Sequence, residues 1–183
     1  MRLASQKRKD NVAEYVLFMW QLCDLLRSLK MDETLIRNSL VDPLGLGAAE
    51  AKAELEWYMD LCQLMKKEGK EDAGMVSLTL YLVDELYAFH LRLLNEPGED
   101  AYQMLVFNAT PAIMSFKDKV PYNLGNDVQY CFYALYSKLQ LAIRKSELTK
   151  ETAEAFSEIS KMVAYLSKRF GEFEAGKFAF KED

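Results

Sequence analysis

The sequence predicts an all-α, single-domain bundle of about six to seven helices in mostly up-and-down order. Apolar residues recur at alternating spacings of three and four, most clearly Phe156, Ile159, Val163, Leu166 and Phe170, which places them on one helical face. No segment sustains the period of two that a strand needs, apart from the short Phe178-Ala179-Phe180 near the end. Gly and Pro gather in a few clusters, Asp42 to Gly47, Gly69 to Gly74, Glu96 to Glu99 and Val120 to Gly125, so the segments between them are long and the connections short.

The first helix is expected over Ser5 to Lys30. A short one follows Asp32, whose carboxylate suits an N-cap and whose neighbour Glu33 complements the helix dipole, and it ends near Val41. A third runs from Ala48 to Glu68, where Gly69 supplies the left-handed stop. The fourth covers Val76 to Asn95. The fifth spans Glu99 to Asp118 with Pro111 inside it, and a kink or break is expected there because proline removes one backbone bond and crowds the preceding turn. The sixth runs from Asn126 to Lys145. The seventh opens at Thr149, a plausible N-cap with Glu151 in its first turn, and ends near Gly171. Residues 1–171 are thus read as the helical domain and 172–183 as an aromatic tail, whose Phe173, Phe178 and Phe180 favour docking on this bundle or a neighbour's.

With 183 residues, 50% apolar and 28% charged, the chain has enough material for one substantial core. A net charge of -5, with only Lys7-Arg8-Lys9 and Arg144-Lys145 as basic clusters, argues against nucleic-acid binding, which needs a concentrated positive field. The start is basic but turns polar at once, so no secretory signal is expected. Unbroken apolar runs such as Tyr15 to Trp20 and Leu80 to Val83 fall far short of the ~20 residues that cross a bilayer. Cys23, Cys62 and Cys131 stand singly, with no zinc or disulfide spacing, and read as buried free thiols of a cytoplasmic protein.

Candidate functional residues lie on polar stripes that are not cleanly amphipathic. On the first helix Lys7, Glu14, Gln21 and Ser28 form one line with Asn11 and Asp24 beside it, yet Phe18 and Leu25 fall within about 40° of that line. Large apolar neighbours on both sides of Glu14 and Gln21 imply that something covers this face. A structural network, a subunit interface and a ligand cavity are the three ways to do so, and each must partner the carboxylates, since an unpaired buried one is costly.

His90 is the only histidine and shares a face with Thr79, Val83, Leu86 and Leu94. Without a Glu-x-x-His pair or convergent thiols, a hydrogen-bonded core histidine is the favoured reading, and neither metal nor cofactor is called for. Tyr130 and Tyr133 sit beside Ser137, Gln140 and Arg144, while Phe132, Leu135, Leu139 and Ile143 are expected to face the core. Rings with polar tips suit a subunit contact or a pocket rim. No Gly-rich phosphate loop, Gly-x-Ser-x-Gly or His-Glu-x-x-His is present.

The stretch Asn11-Val12-Ala13-Glu14-Tyr15 leading into Met19-Trp20-Gln21, the stretch from Trp57-Tyr58 to Glu68-Gly69, the helix from Asp84 to Leu94 and the run Cys131 to Tyr136 resemble an uncharacterised family of Bacteroidetes proteins, domain of unknown function 4924. The resemblance extends roughly from Ser5 to Phe170, and the aromatic tail after Gly171 departs from it. It implies a bacterial, cytosolic, all-helical protein and brings no activity or site residue with it. The first expectation for function is a non-enzymatic helical protein that associates with itself through the polar-aromatic faces of the first or sixth helix. The alternative is a small-molecule binder or enzyme with an inter-helix pocket near Glu14, Gln21 and His90.

Overall fold

The computed structural model describes residues 2–121 and 123–181. Met1, Tyr122 of the expected turn and Glu182 and Asp183 of the tail lie outside the described residues. The chain is all-α, with eight α-helices among these residues: α1 (Arg2–Asp10), α2 (Val12–Ser28), α3 (Glu33–Ile36), α4 (Ala48–Lys67), α5 (Ser77–Leu94), α6 (Asp100–Lys119), α7 (Asp127–Ile143) and α8 (Lys150–Glu174). The count exceeds the expected six to seven because the first expected helix is two.

The division falls at Asn11, whose backbone leaves the helical region (φ -160°, ψ 111°) and caps α2. Its side-chain oxygen accepts from the backbone N–H of Ala13 at 2.9 Å and Glu14 at 3.1 Å, and from the Ser167 hydroxyl of α8 at 2.7 Å. An Asn at a cap satisfies donors that a helix start leaves unpaired, and here the long-range hydroxyl holds the side chain in place. α3 continues through one π turn to Val41 and one 3-10 turn to Leu44, ending on Gly45 at φ +61°.

Of the kink or break expected at Pro111, the break does not occur: α6 runs without interruption across it. Pro111 is exposed, so its ring meets solvent and not a packed neighbour. The carbonyl deprived of its donor belongs to Phe107, itself an exposed residue. α8 also runs past Gly171, to Glu174, because Gly171 keeps helical geometry and the left-handed turn comes at Gly176.

Two cores flank α2. Val12, Ala13, Val16 and Trp20 join the larger, built with α5, α6, α7 and α8 and containing Leu86, Tyr102, Phe132 and Leu166. Met19, Leu22, Cys23 and Leu26 face the smaller one, closed by Ile36, Val41 and Leu55, Cys62 and Met65 of α4. A helix apolar on two sides must be covered on two sides, which is why α2 is so poorly amphipathic. All five residues of the α8 stripe are buried. Leu135 of α7 is buried as well, but Ile143, expected to face the core, lies exposed at the end of α7 beyond the reach of its neighbours.

Candidate functional site

Helices α2 and α7 are packed against each other, and of the candidate residues Asp24 and Tyr133 lie at that contact. Trp20, wholly buried, lies 4.9 Å from the Tyr133 ring and 5.6 Å from the Tyr136 ring, and its Nε1–H donates to Thr79 Oγ1 at 2.8 Å. One turn further along α2, Asp24 Oδ1 accepts from Arg27 Nη1 at 2.6 Å. Asp24 Oδ2 accepts from the Tyr136 hydroxyl and from Gln140 Nε2, the latter at 3.2 Å. Gln140 Nε2 also donates to the Tyr136 oxygen at 2.8 Å, and Arg27 donates to the backbone carbonyls of Lys70 and Gly74. Helix α7 and the 70–74 loop are thereby tied to one carboxylate. Burial, reinforced by the Asp24 hydrogen bond, pushes the Tyr136 hydroxyl well above its ordinary value, so it stays a donor.

The other members of the α2 stripe do not share this environment. Glu14 corrects the expectation of a covered carboxylate: its side chain is 62% exposed and meets Lys7 of α1 at 3.4 Å. Gln21 is half-buried and makes no hydrogen bond to another described side chain.

Tyr130 belongs elsewhere. Its hydroxyl accepts from the Leu124 N–H at 3.2 Å and donates to Asn123 Oδ1 at 3.4 Å, with the Lys117 ammonium 5.2 Å from the ring, so it fastens the loop between α6 and α7.

His90 is buried on α5, joined by a 2.6 Å hydrogen bond between Nδ1 and the Tyr102 hydroxyl. Burial lowers its pKa from the ordinary value, and the Asp127 carboxylate partly offsets that. It lines a void of about 40 Å³ with Ile113, Lys117, Asp127 and Met162, room for a water but not for an organic substrate. Glu14 and Gln21 on α2 are not part of that void, so Glu14, Gln21 and His90 do not frame one pocket. Among the described residues no three His, Cys, Asp or Glu side chains converge as metal ligands would. The three cysteines are buried and unpaired, and burial pushes the Cys23 thiol up to about 11.

Two surface features remain. A cleft of about 600 Å³ is lined by Gly74, Met75, Tyr133, Tyr136, Gln140 and Arg144, above the Asp24 network. On α6, Met104, Phe107, Pro111 and Met114 form an exposed apolar stripe opposite the buried Tyr102, Ala109 and Ile113. The spacing of three, four and three that makes this stripe is present in the sequence, but the kink or break expected at Pro111 divides it. Sequence reasoning also passed over Tyr136 as the partner of Asp24; Gln140 one turn later was the available signal.

A family model described as Domain of unknown function (DUF4924) matches residues 1–177. No curated protein and no solved structure matches the chain.

Proposed function

The chain belongs to the DUF4924 family, a domain of unknown function, and we propose that it acts by association with a second copy of itself through the exposed face of α6. One observation carries this reading: Met104, Phe107 and Met114 are 59%, 74% and 59% exposed on one face of one helix, with Pro111 between them. Large apolar side chains clustered outward mark association surfaces, whereas isolated ones do not.

The stripe is complementary to itself when two copies run antiparallel. About a two-fold axis between Phe107 and Pro111, Met104 meets the partner's Met114 and Phe107 meets the partner's Pro111. This is the isologous arrangement of a closed dimer. Beside Pro111 a groove of about 580 Å³, lined by Asn108, Thr110, Glu158 and Lys161, offers the space for an incoming phenylalanine. The apolar seam spans roughly 15 Å at 1.5 Å per residue. Asp100 and Asp118 lie on the same line and bound it, so carboxylates meet at both ends of the pair.

This reading moves the association expected from the polar-aromatic faces of the first or sixth helix to α6, because Asp24 and Tyr133 of those faces are engaged within the one copy. No catalysis is assigned in this reading. A cytoplasmic setting is part of it, supported by three free buried thiols. No described helix is long and apolar enough to cross a membrane.

Light scattering on the eluting protein, from micromolar to millimolar concentration, tests the proposal. A mass that climbs to twice the monomer's is expected, and a monomer at every concentration overturns it. A second reading, a small-molecule site in the α7 cleft, is favoured by the Arg144 guanidinium at its rim and the Tyr133 ring in its wall. A thermal-shift screen with small aromatic acids that yields no stabilisation would remove it.

A further inference from the structure

The aromatic tail occupies a groove in its own bundle in the manner of a bound peptide. After α8, Gly176 turns the chain at φ +68°, and the backbone then makes no regular structure. Phe178 lies beneath the Arg169 guanidinium, 4.0 Å from its ring centre, and Phe180 beneath that of Arg92 at 3.8 Å. Both rings stand edge-on to Phe89, at 6.2 Å and 5.1 Å. Ala179 between them points outward and is exposed, as alternation in an extended segment requires. The Lys181 N–H donates to Glu96 Oε1 at 3.1 Å, and Glu96 is buried.

Two aromatic side chains in neighbouring arginine-capped pockets, plus one backbone donor to a buried carboxylate, are the elements of short-peptide recognition. The rings are half-buried, unlike the fully buried core beneath them. The wall residues Phe89, Arg92, Glu96, Arg169 and Phe173, whose ring lies 5.7 Å from that of Phe180, fall within the family-matched residues 1–177, whereas both seated phenylalanines lie after them.

We propose that this groove is a docking site for Phe-x-Phe segments, occupied within one chain by its own tail and open, once that tail is released, to the tail of a second copy. The seated occupant itself defines the chemistry: two aromatic residues in i, i+2 register on an extended backbone, followed by a free N–H. Gly176 supplies the hinge at which the tail can leave, since glycine adopts other backbone angles without penalty. The site lies apart from the α6 stripe and does not depend on it.

The test uses the full-length chain carrying Phe178→Ser and Phe180→Ser together, and a fluorescent Gly-Lys-Phe-Ala-Phe-Lys peptide followed by anisotropy. Saturable binding to the variant is expected, at least about tenfold weaker on the wild type because its own tail competes at high effective concentration. Adding Arg92→Ser to the variant, or replacing both phenylalanines of the peptide by serine, should abolish the signal. A folded variant that does not bind, or equal binding by variant and wild type, overturns the proposal. Should the variant lose its helical circular dichroism, amide exchange in the wild type decides. Exchange of the Lys181 amide through local release, well ahead of the α5 and α8 amides, supports a displaceable tail. Exchange only with global unfolding overturns it.

Discussion

The Tyr136 hydroxyl donates to the Asp24 carboxylate across 112 residues of sequence, and this bond joins α7 to α2. Asp24 also holds Arg27, which in turn holds the carbonyls of Lys70 and Gly74, so one carboxylate organises two helices and a loop. Tyr136→Phe removes a charge-assisted hydrogen bond while keeping the ring against Trp20. Because the Asp24 side chain is 45% exposed, the expected loss is at the lower end of the usual range, about 1.5 kcal/mol in urea denaturation. Asp24→Ala should cost more, since it also frees Arg27. The double variant should lose less than the sum of the two, and strict additivity would show that the two groups are not coupled.

Asn11 stabilises the start of α2 and accepts from Ser167 of α8. Asn11→Ala is expected to destabilise by about 1–2 kcal/mol, and Asn11→Asp, which preserves the accepting oxygen, by much less. Equal melting temperatures for the alanine variant and the wild type would contradict the capping role.

His90 makes stability depend on pH in a way no other histidine can confuse, because the chain has 1. In the unfolded chain the ring titrates near its ordinary value of 6.5, and burial lowers it in the folded state. Below 6.5 the unfolded state therefore binds a proton that the folded state does not. The contribution is fully present above that pH and is lost as pH falls toward the folded value. His90→Asn, whose amide stands at the level of Nδ1 and so keeps a partner for the Tyr102 hydroxyl, should flatten the decline of the denaturation midpoint between pH 7 and 5. An unchanged slope would remove His90 from that role.

Phe107→Glu should leave the melting temperature nearly unchanged, within about 0.5 kcal/mol, because the side chain faces solvent in the single copy. It should abolish the dimer. Raising the salt concentration should strengthen wild-type association, since it screens Asp100 and Asp118 against their counterparts. Weakening by salt would indicate a different contact.

The helices were legible where their determinants are local. Asp32 and Thr149 each cap the helix expected to follow them, and α4 begins at Ala48 as read. These signals act over one turn of backbone, so neighbouring residues suffice to reveal them. The fate of Asn11 was not legible in the same way, for the hydroxyl that fixes its side chain arrives from α8, 156 residues away. Whether Pro111 would break its helix was not legible either, because the cost of a proline depends on whether the preceding carbonyl is left to solvent or sealed in a core.

The sequence by itself determined an all-α chain, the positions of most helix ends, the burial of the α8 stripe and, over α2, a poorly amphipathic helix whose polar face something had to cover. Only the tertiary structure decided what covers it. Glu14 and Asp24 belong to the polar side of the same helix, about 80° apart at 100° per residue, yet Glu14 meets water and Lys7 while Asp24 meets Tyr136, Gln140 and Arg27. Helical periodicity specifies the direction in which a side chain leaves its own axis. The partner it finds depends on which distant helix packs there, and that is settled by the joint burial of Trp20, Tyr133 and Tyr136.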